Sequence, residues 1–199
     1  MSAIMRKYND WRQARKFTKA GKGCRFVGKN ILVDGHVELG EYCRLRDNII
    51  LRTRGEGRII LGDRVILSWN VIIESGALVQ MGAHSGCAEN VVIRDGTHLI
   101  YGTKENIKYT PHIVKPVIIG EGVWIGSGAY INYGVTIGDG AVVGVKSLVL
   151  NDIPPYEVWG GIPAKRIAHR TDDVKPEKLA EAQEHIEKYG IRGDRRGYL

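Results

Sequence analysis

Six histidines, His36, His84, His98, His112, His169 and His185, are the side chains of this sequence best suited to moving a proton near neutral pH. His98 differs from the rest by its place. It closes the run Asp95-Gly96-Thr97-His98, where a regular sequence pattern stops and the stretch LIYGTKENIKYTPHIVKPVI begins without it. A histidine held on a rigid element beside a long loop is suited to general-base work. His84 and His112 are weaker candidates, better read as structural or loop-exposed; His36 reads as an outward corner residue, and His169 and His185 as solvated. Cys24, Cys43 and Cys87 are widely spaced, with no CxxC pair and no histidine at zinc spacing, so the expectation is a reduced chain with no metal site.

A histidine does chemistry only if something holds it, and that something is legible as a repeat of six. From residue 119 the chain reads IGEGVW, IGSGAY, INYGVT, IGDGAV, VGVKSL, VLNDIP, with an aliphatic residue first in every hexad and a small or β-branched one fifth. VGKNIL, VDGHVE, LGEYCR and LRDNII follow the pattern from residue 27. LGDRVI, LSWNVI, IESGAL and VQMGAH follow it from 61, and CAENVV and IRDGTH from 87. A six-residue period fits neither an α-helix nor a plain alternating strand. It fits short extended segments joined by sharp corners, three to a coil, with first and fifth places inward and coils stacked about 4.8 Å apart. Glycine at the second and fourth places suits corners with unusual φ and ψ.

Two helices flank the repeat. Ile4, Tyr8, Trp11 and Phe17 recur at helical spacing among basic residues, which predicts an amphipathic helix within 3–20 capping the open bottom coil. Pro176 starts, and Gly190 ends, a second helix with Leu179, Ala182, Ile186 and Tyr189 on one face. The expected organisation is a basic helix and cap over 1–26, a β-helix over 27–168 with a loop at 99–118, and a C-terminal helix and tail over 169–199.

The hexads, with aliphatic, then Gly/Ala/Asp/Glu, then two free places and Ser/Thr/Ala/Val, resemble the left-handed parallel β-helix of the hexapeptide-repeat acyltransferases. The stretch from Asp95 to KPVIIGEGVWIGSGAYINYGVTIGDGAVVGVKSLVLNDIPPYEVWGGIPAKRI resembles the O-acetyltransferase branch that includes galactoside, maltose and xenobiotic acetyltransferases. The resemblance implies an all-β, left-handed β-helix fold, acetyl-CoA as co-substrate, and a homotrimer with active sites between subunits. It makes His98 the catalytic base and the backbone N–H of Ser127 an oxyanion donor. Trp124, Ser127, Gly144, Val145, Leu150 and Asn151 would line the pantetheine arm, and Lys165, Arg166 or Arg170 would meet phosphates. The family often has Ala-Gly at Val145-Lys146 and Thr-Lys-Asp at Leu150-Asn151-Asp152, so a lysine contact at position 151 is lost here. Asn70 resembles an asparagine that meets a sugar hydroxyl, and Tyr101, Glu105 and Tyr109 on the loop could reach an acceptor.

The implied reaction is O-acetylation of a sugar hydroxyl, in a surface polysaccharide or its precursor. The alternative on the same fold is N-acetylation of an amino-sugar nucleotide or antibiotic. A non-enzymatic scaffold and a carbonic anhydrase-like metal protein also share the solenoid, but scattered histidines argue against the latter. Net charge is +7, which invites a nucleic-acid reading. Residues 1–29, however, hold Arg6, Lys7, Arg12, Arg15, Lys16, Lys19, Lys22, Arg25 and Lys29 against Asp10 alone, so this arm carries +8 and the remainder −1. The solenoid thus has no long basic face, and nucleic acid is not expected as a partner. The basic helix suits an anionic membrane surface or an acidic glycan, with a plain solvated cap as the bland alternative. No signal-like or membrane-spanning run is visible. The expected location is cytoplasmic, with the helix as a candidate peripheral contact at the inner face of the membrane.

Overall fold

A computed structural model describes residues 3–171 and 175–189. The hexads form a three-sided solenoid. One face stacks Lys19–Ala20, His36–Leu39, Arg58–Leu61, Leu78–Met81, Val117–Ile119 and Thr136–Ile137; the second stacks Arg25–Phe26, Arg44–Leu45, Ile66–Leu67, Gly86–Cys87, Trp124–Ile125 and Val142–Val143. The third stacks Ile31–Asp34, Ile49–Thr53, Ile72–Ser75, Val92–Arg94, Tyr130–Ile131 and Leu148–Val149. All of these pair in parallel. An antiparallel hairpin, Glu157–Gly160 with Lys165–His169, closes the top of the second face.

Register explains the six-residue period. Leu39 pairs with Leu61, Leu61 with Met81, Met81 with Ile119 and Ile119 with Ile137, and each is at most 1% exposed. Phe26, Leu45, Leu67, Cys87, Ile125 and Val143 form the same column on the second face. Each aliphatic side chain therefore sits on its counterpart one coil below, and the core is a dry column without layers. Fifth-place residues point inward too: Val123, Ala129, Val135 and Ala141 are buried, and the buried Ser147 satisfies its hydroxyl on Gly144 O at 2.8 Å.

Two hexads are out of phase in the sequence reading. Val27 is exposed and Phe26 takes the inward place; Met81, not Val79, stacks between Leu61 and Ile119. The corners also divide the work of glycine. At the sharp corners the fourth place has positive φ, filled by Gly122, Gly128, Gly134, Gly140 and Lys146 in the upper coils. Lower down it is filled by Tyr42, Asn48, Arg64, Asn70, His84 and Asn90, at φ of 56–60°. The second place is small for another reason: a Cβ on Gly62 would lie 2.8 Å from Ala83 N in the next coil.

The N-terminal helix α1 (Ala3–Ala14) is shorter than expected and is turned the other way round. Thr18 N already donates to Val37 O at 2.9 Å, so the chain joins the solenoid before Gly21. The polar side of α1 does the capping. Asn9 Nδ2 donates to Phe26 O, Asp10 Oδ1 accepts from Phe26 N, and Lys16 Nζ, just beyond the helix, donates to Ile31 O, at 2.7–2.9 Å. These groups meet backbone of the bottom coil, which has no coil beneath it to bond. Ile4, Met5, Tyr8 and Trp11 face outward, each more than half exposed, while Phe17 alone of the predicted apolar set reaches the core, against Phe26. The C-terminal helix α2 (Pro176–Tyr189) forms as expected; its Leu179 is exposed and Ile186 half-buried. Gly190 and the segment 191–199 lie outside the described residues.

Candidate active site

The breaks in the repeat all fall at one corner. From first to second face, and from second to third, each coil above the lowest uses six residues: Leu39 to Leu45 to Leu51, Leu61 to Leu67 to Ile73, and Met81 to Cys87 to Ile93. The return from third face to first takes ten residues from Leu51 to Leu61, eight from Ile73 to Met81 and 26 from Ile93 to Ile119. It falls back to six from Ile131 to Ile137. These insertions stack into the wall of a cleft of about 700 Å³, lined by Arg52, Arg54, Glu74, Arg94, His98 and His112 among others.

Asp95 fixes the point at which the chain leaves the coil. Its buried carboxylate accepts from Ser75 Oγ at 2.7 Å, Gly76 N at 2.7 Å and Ala77 N at 2.8 Å, while its carbonyl accepts from Lys115 N at 2.8 Å. The 20-residue excursion is thus pinned at both ends by one residue. It rises as an antiparallel hairpin, Gly96–His98 with His112–Val114, in which His98 and His112 are direct cross-strand partners with ring centroids 4.0 Å apart.

The loop also places a hydroxyl beside Nδ1 of His98. Thr110 is buried, and its hydroxyl donates its single proton to Ile107 O at 2.9 Å. Its oxygen stands 3.5 Å from His98 Nδ1, and with the bond to Ile107 made it can only accept there, an arrangement that suits the tautomer with its proton on Nδ1 and its lone pair on Nε2. A half-buried imidazole with its lone pair on Nε2, held on the hairpin that Asp95 pins at the mouth of a cleft, can take a proton from a bound hydroxyl. Thr110 and the cross-strand role of His112 are invisible in the sequence, because both depend on how the loop folds back.

A model of the bacterial transferase hexapeptide, six repeats, matches residues 116–151. Residues 116–151 thus carry the hexapeptide repeat that the stacked coils show. Among solved structures, a single-site variant of AntD, an N-acyltransferase from Bacillus cereus, in complex with dTDP-4-amino-4,6-dideoxyglucose and coenzyme A, is 19% identical. That likeness covers 89% of this chain and 95% of that one with a TM-score of 0.70. A galactoside acetyltransferase in complex with coenzyme A is 27% identical over 78% of this chain and 66% of that one, at a TM-score of 0.53. The hexapeptide-repeat acetyltransferase VCA0836 from Vibrio cholerae is 22% identical over 86% and 83%, at 0.57. A comparison with curated protein sequences finds no match.

The residues assigned to the cofactor by resemblance lie on the upper coils, away from the lining of the His98 cleft. Ser127 and Val145 occupy the corner between second and third faces, where Lys146 N donates to Ser127 O and Gly128 N to Glu89 O, both at 2.8 Å. The Ser127 hydroxyl donates to Glu89 Oε2 at 2.8 Å, so of its donors only the backbone N–H is available to a ligand. The Glu89 carboxyl is held below its usual range by its own backbone N–H and by that hydroxyl. Trp124 lies on the outer second face, where it covers Gly86. Gly144 is in the corner beside Val145, and Val145, Leu150 and Asn151 are exposed. On the closing hairpin Lys165 is exposed, Arg166 Nε is paired to Glu157 Oε1 at 2.9 Å and Arg170 Nη1 donates to Gly140 O at 2.7 Å.

Asn70 shares the Ser127 corner two coils lower, as a rung of the ladder Asn30, Asn48, Asn70, Asn90, each amide donating to the next at 3.1 Å. Tyr101, Glu105 and Tyr109 are exposed on the excursion. His84 holds a positive-φ corner, His36 pairs with Glu38 at 2.7 Å, His169 bonds Thr171 at 2.6 Å and His185 is exposed on α2. Among the described residues no group of three or more His, Cys, Asp or Glu could hold a metal ion.

Thr110→Val removes the acceptor at Nδ1 while keeping the shape. If His98 is the base, kcat should fall roughly fivefold, in line with about 1 kcal/mol for one hydrogen bond, with KM for the acyl donor unmoved. Thr110→Ser should restore it in a steady-state assay.

Proposed function

We propose that the protein is an acetyl-CoA-dependent acetyltransferase that acts on a sugar hydroxyl, with His98 as general base. The observation that carries this reading is the His98 geometry: Nε2 is free, Nδ1 is oriented by Thr110, and the ring stands at the mouth of a cleft large enough for a sugar. Nε2 takes the proton of the acceptor hydroxyl as its oxygen attacks the thioester carbonyl. The tetrahedral oxyanion is met by the Ser127 backbone N–H. Its collapse expels the thiolate of CoA, which the imidazolium reprotonates, so no acyl-enzyme forms. Coenzyme A complexes of the galactoside acetyltransferase and of AntD support the cofactor. The AntD likeness, which spans 89% of the chain, favours a second reading, N-acylation of an amino-sugar nucleotide. Release of CoA thiol across hydroxyl and amine acceptors separates the two.

The placing of the parts supports a site shared between copies. His98 is at the far end of the third-face strands from the Ser127 corner, so one chain cannot bring the two together. The outer third face carries an apolar column, Leu32, Ile50, Ile72, Val92, Tyr130 and Leu148, paired rung to rung over the full height of the solenoid. We assign this face to a second copy within a homotrimer, whose Ser127 corner and Trp124, Gly144, Val145, Leu150, Asn151, Lys165 and Arg166 would bring the acyl donor to His98. The outward apolar side of α1, with Lys7, Arg12 and Arg15 among its exposed residues, suits peripheral contact with an anionic bilayer.

Three outcomes are expected. His98→Ala should lower kcat by about 10²–10⁴-fold in a CoA-release assay, and a fully active variant would overturn the base assignment. Sedimentation should give three times the 22.1 kDa chain mass, with Ile72→Glu losing both assembly and turnover; an active monomer would sink the shared site. Vesicles containing phosphatidylglycerol should pull down the protein at low salt, and Trp11→Glu should abolish this; retention in the supernatant would leave α1 as a cap only.

A further inference from the structure

The charges that line the His98 cleft are not balanced. Three guanidiniums, Arg52, Arg54 and Arg94, line it with two carboxylates, Glu74 and Asp95. Asp95 is buried and has spent its oxygens on Ser75 Oγ and on the N–H groups of Gly76 and Ala77. Glu74 is shared, 3.2 Å from Arg52 Nη1 on one side and 3.1 Å from Arg94 Nη2 on the other. Arg52 also lies 3.8 Å from Asp34. That network holds two of the three cations in place. Among the described residues the exposed Arg54 side chain is in no ion pair, and the bonds of Arg54 are backbone ones, Arg54 N to Ser75 O and Gly57 N to Arg54 O, both 2.9 Å.

The position of Arg54 has a defined height. Its N–H donates to Ser75 in the coil above, and Ser75 donates to Asp95 in the coil above that, so Arg54 stands two coils below the point at which His98 leaves the solenoid. Two coils are about 10 Å. A hydroxyl presented to His98 Nε2 would therefore have Arg54, backed by Arg52 and Arg94, about one sugar ring further along the same wall.

We infer that the acceptor is an anionic sugar, carrying a phosphate or carboxylate group that Arg54 engages while a hydroxyl of the neighbouring ring is presented to His98. This rests on the acetyltransferase reading and names the substrate class of its site. A guanidinium meets both anions bidentately, and the open position of Arg54 costs no existing ion pair. Arg54 is then a specificity-determining residue with no part in proton transfer.

The test measures binding of three probes to the full-length protein by ligand-observed NMR, with CoA present: methyl glucoside, glucose 1-phosphate and methyl glucuronide. At least one anionic probe should bind at least tenfold more tightly than methyl glucoside, and Arg54→Gln should remove most of that difference while leaving the neutral probe unmoved. Preference for glucose 1-phosphate would identify the anion as a phosphate, and preference for the glucuronide as a carboxylate. Equal binding of all three, or an anionic preference that survives Arg54→Gln, would overturn the inference. CoA release is measured in parallel: wild-type turnover by His98→Ala would remove His98 as the base, and no CoA release by the unsubstituted protein with any hydroxyl or amine acceptor would remove the acetyltransferase reading itself, whatever Arg54 does.

Discussion

Vertical register of aliphatic side chains is the constraint on which the rest of this structure depends. A coil of eighteen residues closes only if every sixth side chain points inward, and it stacks only if that side chain lands on its counterpart below, as Ile119 lands on Met81 and Ile137 on Ile119. Inserting residues within a face would throw the column out of phase, with every later inward residue turned towards solvent. Above the lowest coil the insertions are all at the corner after the third face, where the chain can bulge outward and return without disturbing the stack. The cleft is thus a consequence of the rule that makes the core: it is built from the residues the column has no room for.

The same logic accounts for the chemistry at His98. A parallel solenoid has little capacity for catalysis, because its outward side chains stand in fixed rows with solvent between them. The excursion pinned by Asp95 supplies what the rows lack. It folds an antiparallel hairpin over the corner, sets His112 across from His98 and buries Thr110, whose hydroxyl, bonded to Ile107 O, turns its oxygen towards Nδ1 of the His98 ring. Precision in the site comes from a loop whose two ends are held by a single carboxylate and carbonyl.

The ends of the column obey a different need. An exposed end coil presents unpaired backbone as well as apolar side chains, and α1 answers the first of these with Asn9 and Asp10, helped by Lys16. Its apolar side is then left over. A helical wheel shows that α1 has two faces but gives no preference between a bottom coil that wants hydrogen bonds and one that wants grease. The polar side faces the coil although the two demands are of similar size: a buried N–H or C=O without a partner costs about 1–3 kcal/mol, comparable with the gain from burying a whole aliphatic side chain.

The sequence alone determined the solenoid, its three inward-facing columns, the two helices, the loop after His98 and the concentration of positive charge in the first 29 residues. Each of these is written in local spacing, and local spacing is what a six-residue repeat preserves. Only the tertiary structure decided which residues meet. Ser75 reaches Asp95, Arg54 stands beneath both, Asn70 becomes a rung of an asparagine ladder, and Ser127 is set at the opposite end of a strand from His98. The physical reason is that contacts here run between coils, at separations of 18, 20, 22 or 38 residues set by how much chain each corner takes up. A shift of one or two residues at a corner, as at Val27 and Val79, changes every neighbour above it while leaving the repeat recognisable.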